Sequence, residues 1–216
     1  MDGGLLINSP LRQISDGRFM ESAFPDEWRG DFGNGILYRM CKENPAHVDR
    51  DVIHGKLWLI GRSYSVAIER KACYPKQAME RAIELLLASD IDQLIASVRK
   101  SIQRVDSSNV GEVLELHGVL TGIFKEATCL EKRSLASKYL HFHAPDAVLI
   151  YDSVAAGNLH KISKESKFGR LGEIQNGVDA AYAKYVFRAL KYRNEIFEPK
   201  IGRRVSPREL DKSLYR

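Results

Sequence analysis

An all-α fold is the class this sequence predicts, and three observations predict it. Apolar residues recur at steps of three and four over most of the chain, as in Ile53, Leu57, Ile60, Tyr64 and Ile68. Helix-start signals precede these stripes, the clearest being Ser206-Pro207-Arg208-Glu209, with a capping serine, a proline at the first helical position and a glutamate at the third. No segment alternates convincingly, so the only extended candidate is the short apolar run 147–151. The expectation is one compact domain over 1–216, a bundle of about seven helices. Within it, 1–35 is mostly loop, 36–130 a first helical lobe, and 131–216 a central segment with the C-terminal helices.

The loop reading of 1–35 rests on Asp16-Gly17, Phe24-Pro25-Asp26 and the Gly-rich run from Arg29 to Gly35, with Phe24, Trp28 and Phe32 as its apolar anchors. A short helix then runs from Ile36 to about Glu43 and stops at Asn44-Pro45. Asp49 and Asp51 suit the N-terminus of the next helix, which carries the stripe Ile53 to Ile68. Gln77 to Ala88 is a second helix, dense in Ala, Met, Ile and Leu and buried on several sides. Ser89, with Asp92 three residues later, opens the helix striped by Ile91, Leu94, Ile95, Val98 and Ile102. Asn109 and Glu112 open another, with Val113, Leu114, His117, Leu120 and Phe124 on one face. A long helix carries Val178, Tyr182, Tyr185, Val186, Ala189 and Leu190, and a last one runs from Ser206 to Tyr215. The core is expected to hold Ile53, Leu57, Ile60, Leu94, Val98, Leu114, Leu120, Leu140, Tyr185 and Leu190.

Composition is ordinary globular usage, 44% hydrophobic and 28% charged, which excludes a disordered chain. A net charge of +5 and a pI near 9.0 tilt the partner towards polyanions. Cys41, Cys73 and Cys129 stand far apart in no C-x-x-C arrangement, so neither a disulfide framework nor a zinc or iron–sulfur site is expected. That usage, an N-terminus without a basic region and apolar core, and the lack of any bilayer-length apolar run predict a cytoplasmic protein with no membrane partner. No cofactor is expected.

The chemistry concentrates in 131–153. Ser134-Leu135-Ala136-Ser137 suits a tight connection between helices, Lys138 follows, and Ala144-Pro145-Asp146 stops the helix that Lys138 begins. The apolar run Ala147-Val148-Leu149-Ile150-Tyr151 ends on Asp152. Two readings stand side by side. Lys138 is a desolvated amine paired with the Asp152 carboxylate, or it is a helix-surface charge and Asp152 caps the helix that Ser153 opens. His141 and His143 flank Phe142 on different faces of a helix, which favours packing over metal ligation, and no metal is expected. His117 reads as a satisfied core histidine. Arg62 either pairs with Glu69 or faces the Lys138 cleft together with Tyr64 and binds an anionic ligand. Lys161, Lys164, Lys167 and Arg170 form a basic, Gly-rich loop that either contacts phosphates or is merely solvated.

The order of small-residue turn, Lys, short helix, Pro, apolar run and Asp resembles the helix-hairpin-helix DNA glycosylase superfamily, particularly its 8-oxoguanine glycosylase-like branch. Ser134, Leu135 and Ala136 stand where that hairpin has Gly, a hydrophobic residue and Gly, and Lys138 and Asp152 are fourteen residues apart. The resemblance implies two helical lobes around a cleft, Lys138 as Schiff-base nucleophile and Asp152 as catalytic carboxylate of an N-glycosylase/lyase. It implies a DNA partner met by Ser134, Ser137 and the basic loop, with Arg62, Tyr64, His141 and Ser153 lining the ligand site. Leu59-Ile60-Gly61-Arg62-Ser63-Tyr64 and Ser206 to Lys212 are also similar to bacterial proteins of this shape linked with anti-phage defence. A different class remains open, a non-catalytic interaction module that keeps the helical fold. The sequence does not define an oligomeric state.

Overall fold

The computed structural model describes residues 32–162 and 177–215, whose regular structure is all helical, with no strand among the described residues. The chain divides into two compact units, 1–36 and 37–216. All but the first turn of the helical part belongs to the second.

The helices are α1 (Phe32–Glu43), α2 (Arg50–Ser63), α3 (Pro75–Leu87), α4 (Ile91–Ser101), α5 (Val110–Thr128), α6 (Arg133–His143) and α7 (Ser153–Ile162). Next comes α8 (Ala180–Tyr192), which continues through a π-helical turn (Arg193–Phe197) into Glu198–Ile201, and α9 (Pro207–Ser213) is last. Counted this way there are nine helices among the described residues, against the seven or so expected. The excess includes α7, which the sequence raised only as the helix that Ser153 would open. Helix α5 packs on α3, α4 and α6, while α2 packs on α3 and α6, so α6 is enclosed by its neighbours. Nine of its eleven residues are buried.

The start signals meet different fates. Asp49 caps α2 through Asp51 N and Val52 N, and Ser206 and Glu209 form a full capping box on α9. Ser89 does not cap α4. Its hydroxyl donates back to Leu86 O at 2.8 Å, and Asp92, its expected partner, binds His47 instead. Asn109 precedes α5, but its side chain holds the loop before it, accepting from Asp106 N and donating to Arg104 O.

Helix α2 is shorter than its stripe. It stops at Ser63, and the chain turns back through Ser65, whose φ is 55°, to bury Ile68 from outside the helix. Gly61 permits this return, since a Cβ there would lie 3.0 Å from the Ala67 Cα. The expected core is buried except for Leu94, which is half-buried at the edge of α4.

The cysteine reading is corrected. Cys73 and Cys129 form a disulfide with Cα atoms 5.9 Å apart, tying the chain two residues before α3 to the C-cap of α5. Their 56-residue separation hides the pairing from any local motif. Cys41 is buried, and burial pushes its thiol up to about 12. No described helix is long and apolar enough to cross a membrane.

Opening the disulfide frees the turn that leads into α6. Cys73→Ser is therefore expected to lower unfolding free energy by about 2–4 kcal/mol, from the restored entropy of a long loop. Denaturant unfolding of wild type and variant, each without reductant, measures this. Equal midpoints would mean that the crosslink does not constrain the unfolded chain.

Candidate functional site around Lys138

The segment 147–151 is extended, buried and without a strand partner, so its backbone acceptors need donors from elsewhere. Side chains of α6 and α8 provide them. His141 Nδ1 binds Val148 O at 2.8 Å, Tyr182 donates to Leu149 O at 2.8 Å, and Tyr185 donates to Ile150 O at 2.7 Å. Lys138 Nζ donates to Tyr151 O at 2.9 Å and to Ser134 Oγ at 2.7 Å. Ser137 accepts from Tyr151 N at 2.9 Å.

Lys138 sits at the end of this ladder with its side chain 1% exposed, and Asp152 Oδ2 is 3.6 Å from Nζ. The Tyr64 ring lies 5.5 Å from the ammonium. Burial pulls the Lys138 pKa below its ordinary value, against Asp152 and Asp211, which pull it up. Asp152 fulfils both sequence readings at once. Its Oδ1 accepts from Val154 N at 2.8 Å at the start of α7, and its Oδ2 faces the lysine. With 24% of its side chain exposed, Asp152 is the accessible member of the pair.

Three more groups close around them. Asp211 of α9 has its carboxyl raised to about 6 by burial, although Arg208 and Lys138 pull it down. Arg208 Nη1 donates to Asp211 Oδ2 at 2.8 Å. Tyr215, after α9, has its hydroxyl pKa raised by burial, then by the carboxylates of Asp211 and Asp152. The residue itself is 49% exposed.

Of the residues singled out in the sequence, Lys138, Asp152, Tyr64 and Ser134 come together. Ser134 to Ser137 are not the hairpin turn. They form the first turns of α6, and the turn is 129–132, where Cys129 adopts φ 60°. Small residues are needed there because 147–151 packs directly on that face. Ser137 is fully buried with its hydroxyl engaged by Ser134 O and Tyr151 N. Both ring nitrogens of His141 are engaged within the fold, Nδ1 by Val148 O and Nε2 by the Tyr38 hydroxyl at 2.6 Å. Burial lowers its pKa to about 4, so the ring is neutral. Arg62 is exposed and stacks over Trp58 at 5.8 Å, away from both alternatives considered for it, because α2 has ended before Glu69. Ser153 and Lys161 are exposed on α7, while Lys164, Lys167 and Arg170 lie outside the described residues. His117 is the core histidine expected, stacked on Tyr182 at 3.6 Å between ring centres.

Asp211, Arg208 and Tyr215 had one sequence signal. An acid and an arginine three apart flank the Leu210 and Leu214 stripe, where a surface helix would keep both in water. The other face of α6 holds a second polar network that sequence reasoning missed. Asp92 accepts from His47 N at 2.8 Å and meets His47 Nδ1 at 2.5 Å. The Tyr139 hydroxyl completes the chain at 2.8 Å from His47 Nε2. All but Asp92 are buried, so the chain fixes α6 and offers no accessible nucleophile.

No group of three or more His, Cys, Asp or Glu that could hold a metal ion occurs among the described residues. Comparison with protein families, with curated proteins and with solved structures finds no significant match to this chain, so the site is read from its geometry.

The ladder is testable one rung at a time. Tyr182→Phe removes the donor to Leu149 O and is expected to cost about 1–3 kcal/mol, the penalty for a buried unsatisfied carbonyl. No loss in denaturant unfolding would contradict the accounting. Acid should also weaken the fold. The folded His141 pKa lies below its unfolded value, so its contribution is complete above pH 6.5 and lost as pH falls towards about 4. At about 1.4 kcal/mol per unit this amounts to about 3 kcal/mol, and His141→Gln should flatten the pH dependence by that much.

Proposed function

We propose that this chain is a nucleic-acid-binding protein of the glycosylase/lyase type, with Lys138 as the nucleophilic amine and Asp152 as its electrostatic partner. The observation that carries the reading is a buried lysine with a lowered pKa, 3.6 Å from a partly exposed carboxylate. An amine acts as a nucleophile only when neutral, and desolvation is the general means of making it so near neutral pH. Attack on a sugar C1′ forms the N–C1′ bond as the glycosidic bond breaks, and the departing base carries off the bonding pair and takes up a proton. Asp152 then faces the positive charge that develops on the sugar. The chain's net charge of +5 suits a DNA partner, and the 161–170 basic loop is the proposed phosphate contact.

A second reading, a non-catalytic module that keeps the fold, is favoured by one observation. Both direct hydrogen bonds of Lys138, to Ser134 Oγ and Tyr151 O, have a structural purpose. On that reading the amine never leaves its place in the ladder. A bacterial anti-phage role fits either reading and rests on the sequence similarity alone.

Borohydride trapping separates the two. DNA carrying an abasic site or a damaged base should give a covalent complex on reduction, because only an imine between an amine and the anomeric carbon is made permanent. Lys138→Gln should abolish trapping, and Asp152→Asn should slow base release more than it weakens binding, since the carboxylate acts mainly in the transition state. Absence of trapping across a panel of lesions in folded wild-type protein would remove the catalytic reading. Trapping that survives Lys138→Gln would move the nucleophile elsewhere.

A further inference from the structure

As the structure stands, a substrate cannot reach the Lys138 amine, because its side chain is 1% exposed. Something must move, and the loop 64–74 between α2 and α3 is a cover that a covalent bond holds down. Tyr64 opens the loop with its ring 5.5 Å from Lys138 Nζ. Cys73, nine residues on, is crosslinked to Cys129, and Lys138 stands nine residues beyond Cys129. The disulfide therefore joins the two stretches of chain whose far ends meet as Tyr64 and Lys138.

Two hydrogen bonds run beside the crosslink. Cys73 N donates to Thr128 O at 3.1 Å, and Lys132 Nζ donates to Arg70 O at 2.5 Å. The loop's own backbone does not favour this setting. Ser65 and Lys71 are held at φ 55° and 60°, a region that residues with side chains rarely adopt and that persists only where the surroundings impose it. The buried side chains of the loop are Ile68 and Ala72, whose apolar contacts are non-directional. Both cysteines are exposed, so the bond that closes the ring is open to thiol exchange.

We propose that the Cys73–Cys129 disulfide is a redox-controlled clasp on the 64–74 loop, and that a dithiol reductant uncovers Lys138 by opening it. In the exchange a thiolate of the reductant attacks one exposed sulfur. A mixed S–S bond forms as the Cys73–Cys129 bond breaks, and the departing sulfur keeps the bonding pair and takes up a proton. The second thiolate of the reductant then displaces the other protein sulfur in the same way. The protein gains two electrons and two protons and ends as two thiols, and the dithiol leaves as a disulfide. What the clasp controls rests on the reading of Lys138 as the reactive amine, whereas its opening is measured without DNA.

The test treats the full-length oxidised protein with dithiothreitol in the absence of denaturant, caps its thiols with iodoacetamide and removes the reagents. Reductive methylation with formaldehyde and cyanoborohydride, read by peptide mass spectrometry, then compares Lys138 with Lys161, an exposed lysine on α7. Lys138 is expected to react about tenfold faster in the reduced form and Lys161 to change less than about twofold, since the opening is local. Amide hydrogen exchange should quicken over 64–74 and stay slow at the centre of α5. Cys73→Ser is expected to match the reduced wild type and to ignore dithiothreitol.

A bond that dithiothreitol leaves intact in the folded protein would overturn the proposal, as would an unchanged Lys138 rate in the reduced form. Exchange that quickens equally in the loop and in α5 would make the crosslink purely structural and end the proposal too. These readings need wild type alone, so they stand whether or not the variant folds. Cyanoborohydride trapping of abasic DNA, run in parallel, keeps the two ideas apart. A Lys138 that opens on reduction but forms no adduct sinks the glycosylase reading and leaves the clasp in place. Adduct formed equally by both redox forms, with Lys138 methylated at one rate in each, sinks the clasp and leaves that reading standing.

Discussion

The extended segment 147–151 sets the terms for the rest of the molecule. A buried extended segment with no sheet around it presents carbonyls that water cannot reach, and each must find a donor or cost free energy comparable to a lost hydrogen bond. Four consecutive carbonyls, from Val148 to Tyr151, find theirs in His141, Tyr182, Tyr185 and Lys138. This requirement explains why α6, enclosed by other helices, is rich in polar residues where an apolar helix would seem natural. It also explains the serines of its first turns. Only small hydroxyl side chains allow the segment to approach while meeting Tyr151 N and sharing the Tyr151 carbonyl with Lys138.

The opposite side of α6 solves the same problem by a different route. His47 Nδ1 lies against Asp92, so that nitrogen carries the proton and Nε2 is left to accept from the Tyr139 hydroxyl. Lys56, also buried, donates to Asn44 O at 2.5 Å and reaches His143 Nε2 at 3.4 Å. Burial lowers the pKa values of His47 and His143, so the stacked rings, 5.2 Å apart, pack as neutral aromatics. The helix is thereby fixed in rotation from both sides. Lys138 is aimed at Asp152 because the ladder and the His47 network leave its helix no other setting.

What the sequence disclosed follows from the range of the interactions involved. Caps at Asp49 and Ser206 are local, depend on residues two or three apart, and were legible. Apolar stripes were legible for the same reason, and Leu94 departs only because its stripe is wider than the face α4 buries. The Cys73–Cys129 bond, the Asp92–His47 pair and the Asp211 contact join residues far apart in the chain, so no spacing announces them. Ser134 to Ser137 misled for a subtler reason. Small residues mark a turn and equally mark a helix face pressed against backbone, and only the presence of the 147–151 segment tells the two apart.

Among the buried polar atoms without a hydrogen-bond partner in the described residues, His143 Nδ1 and Asp211 Oδ1 lie in surroundings that give them different meanings. His143 Nε2 faces the Lys56 amine, which leaves its proton on Nδ1, and that nitrogen lies by the rings of His47 and Tyr139. It is the residue of a packing compromise, with one neutral N–H given up so that three rings can stack. Asp211 carries a charge when it ionises, and the charged groups acting on it are Arg208, then Lys138 and Asp152. Arg208 meets only its Oδ2, so burial of the other oxygen is costlier than burial of an unpaired N–H beside aromatic rings, and substitution by asparagine would remove the charge. That cost falls at the corner where Lys138 and Asp152 act on the carboxylate, which separates it from the ring stack packed around His143.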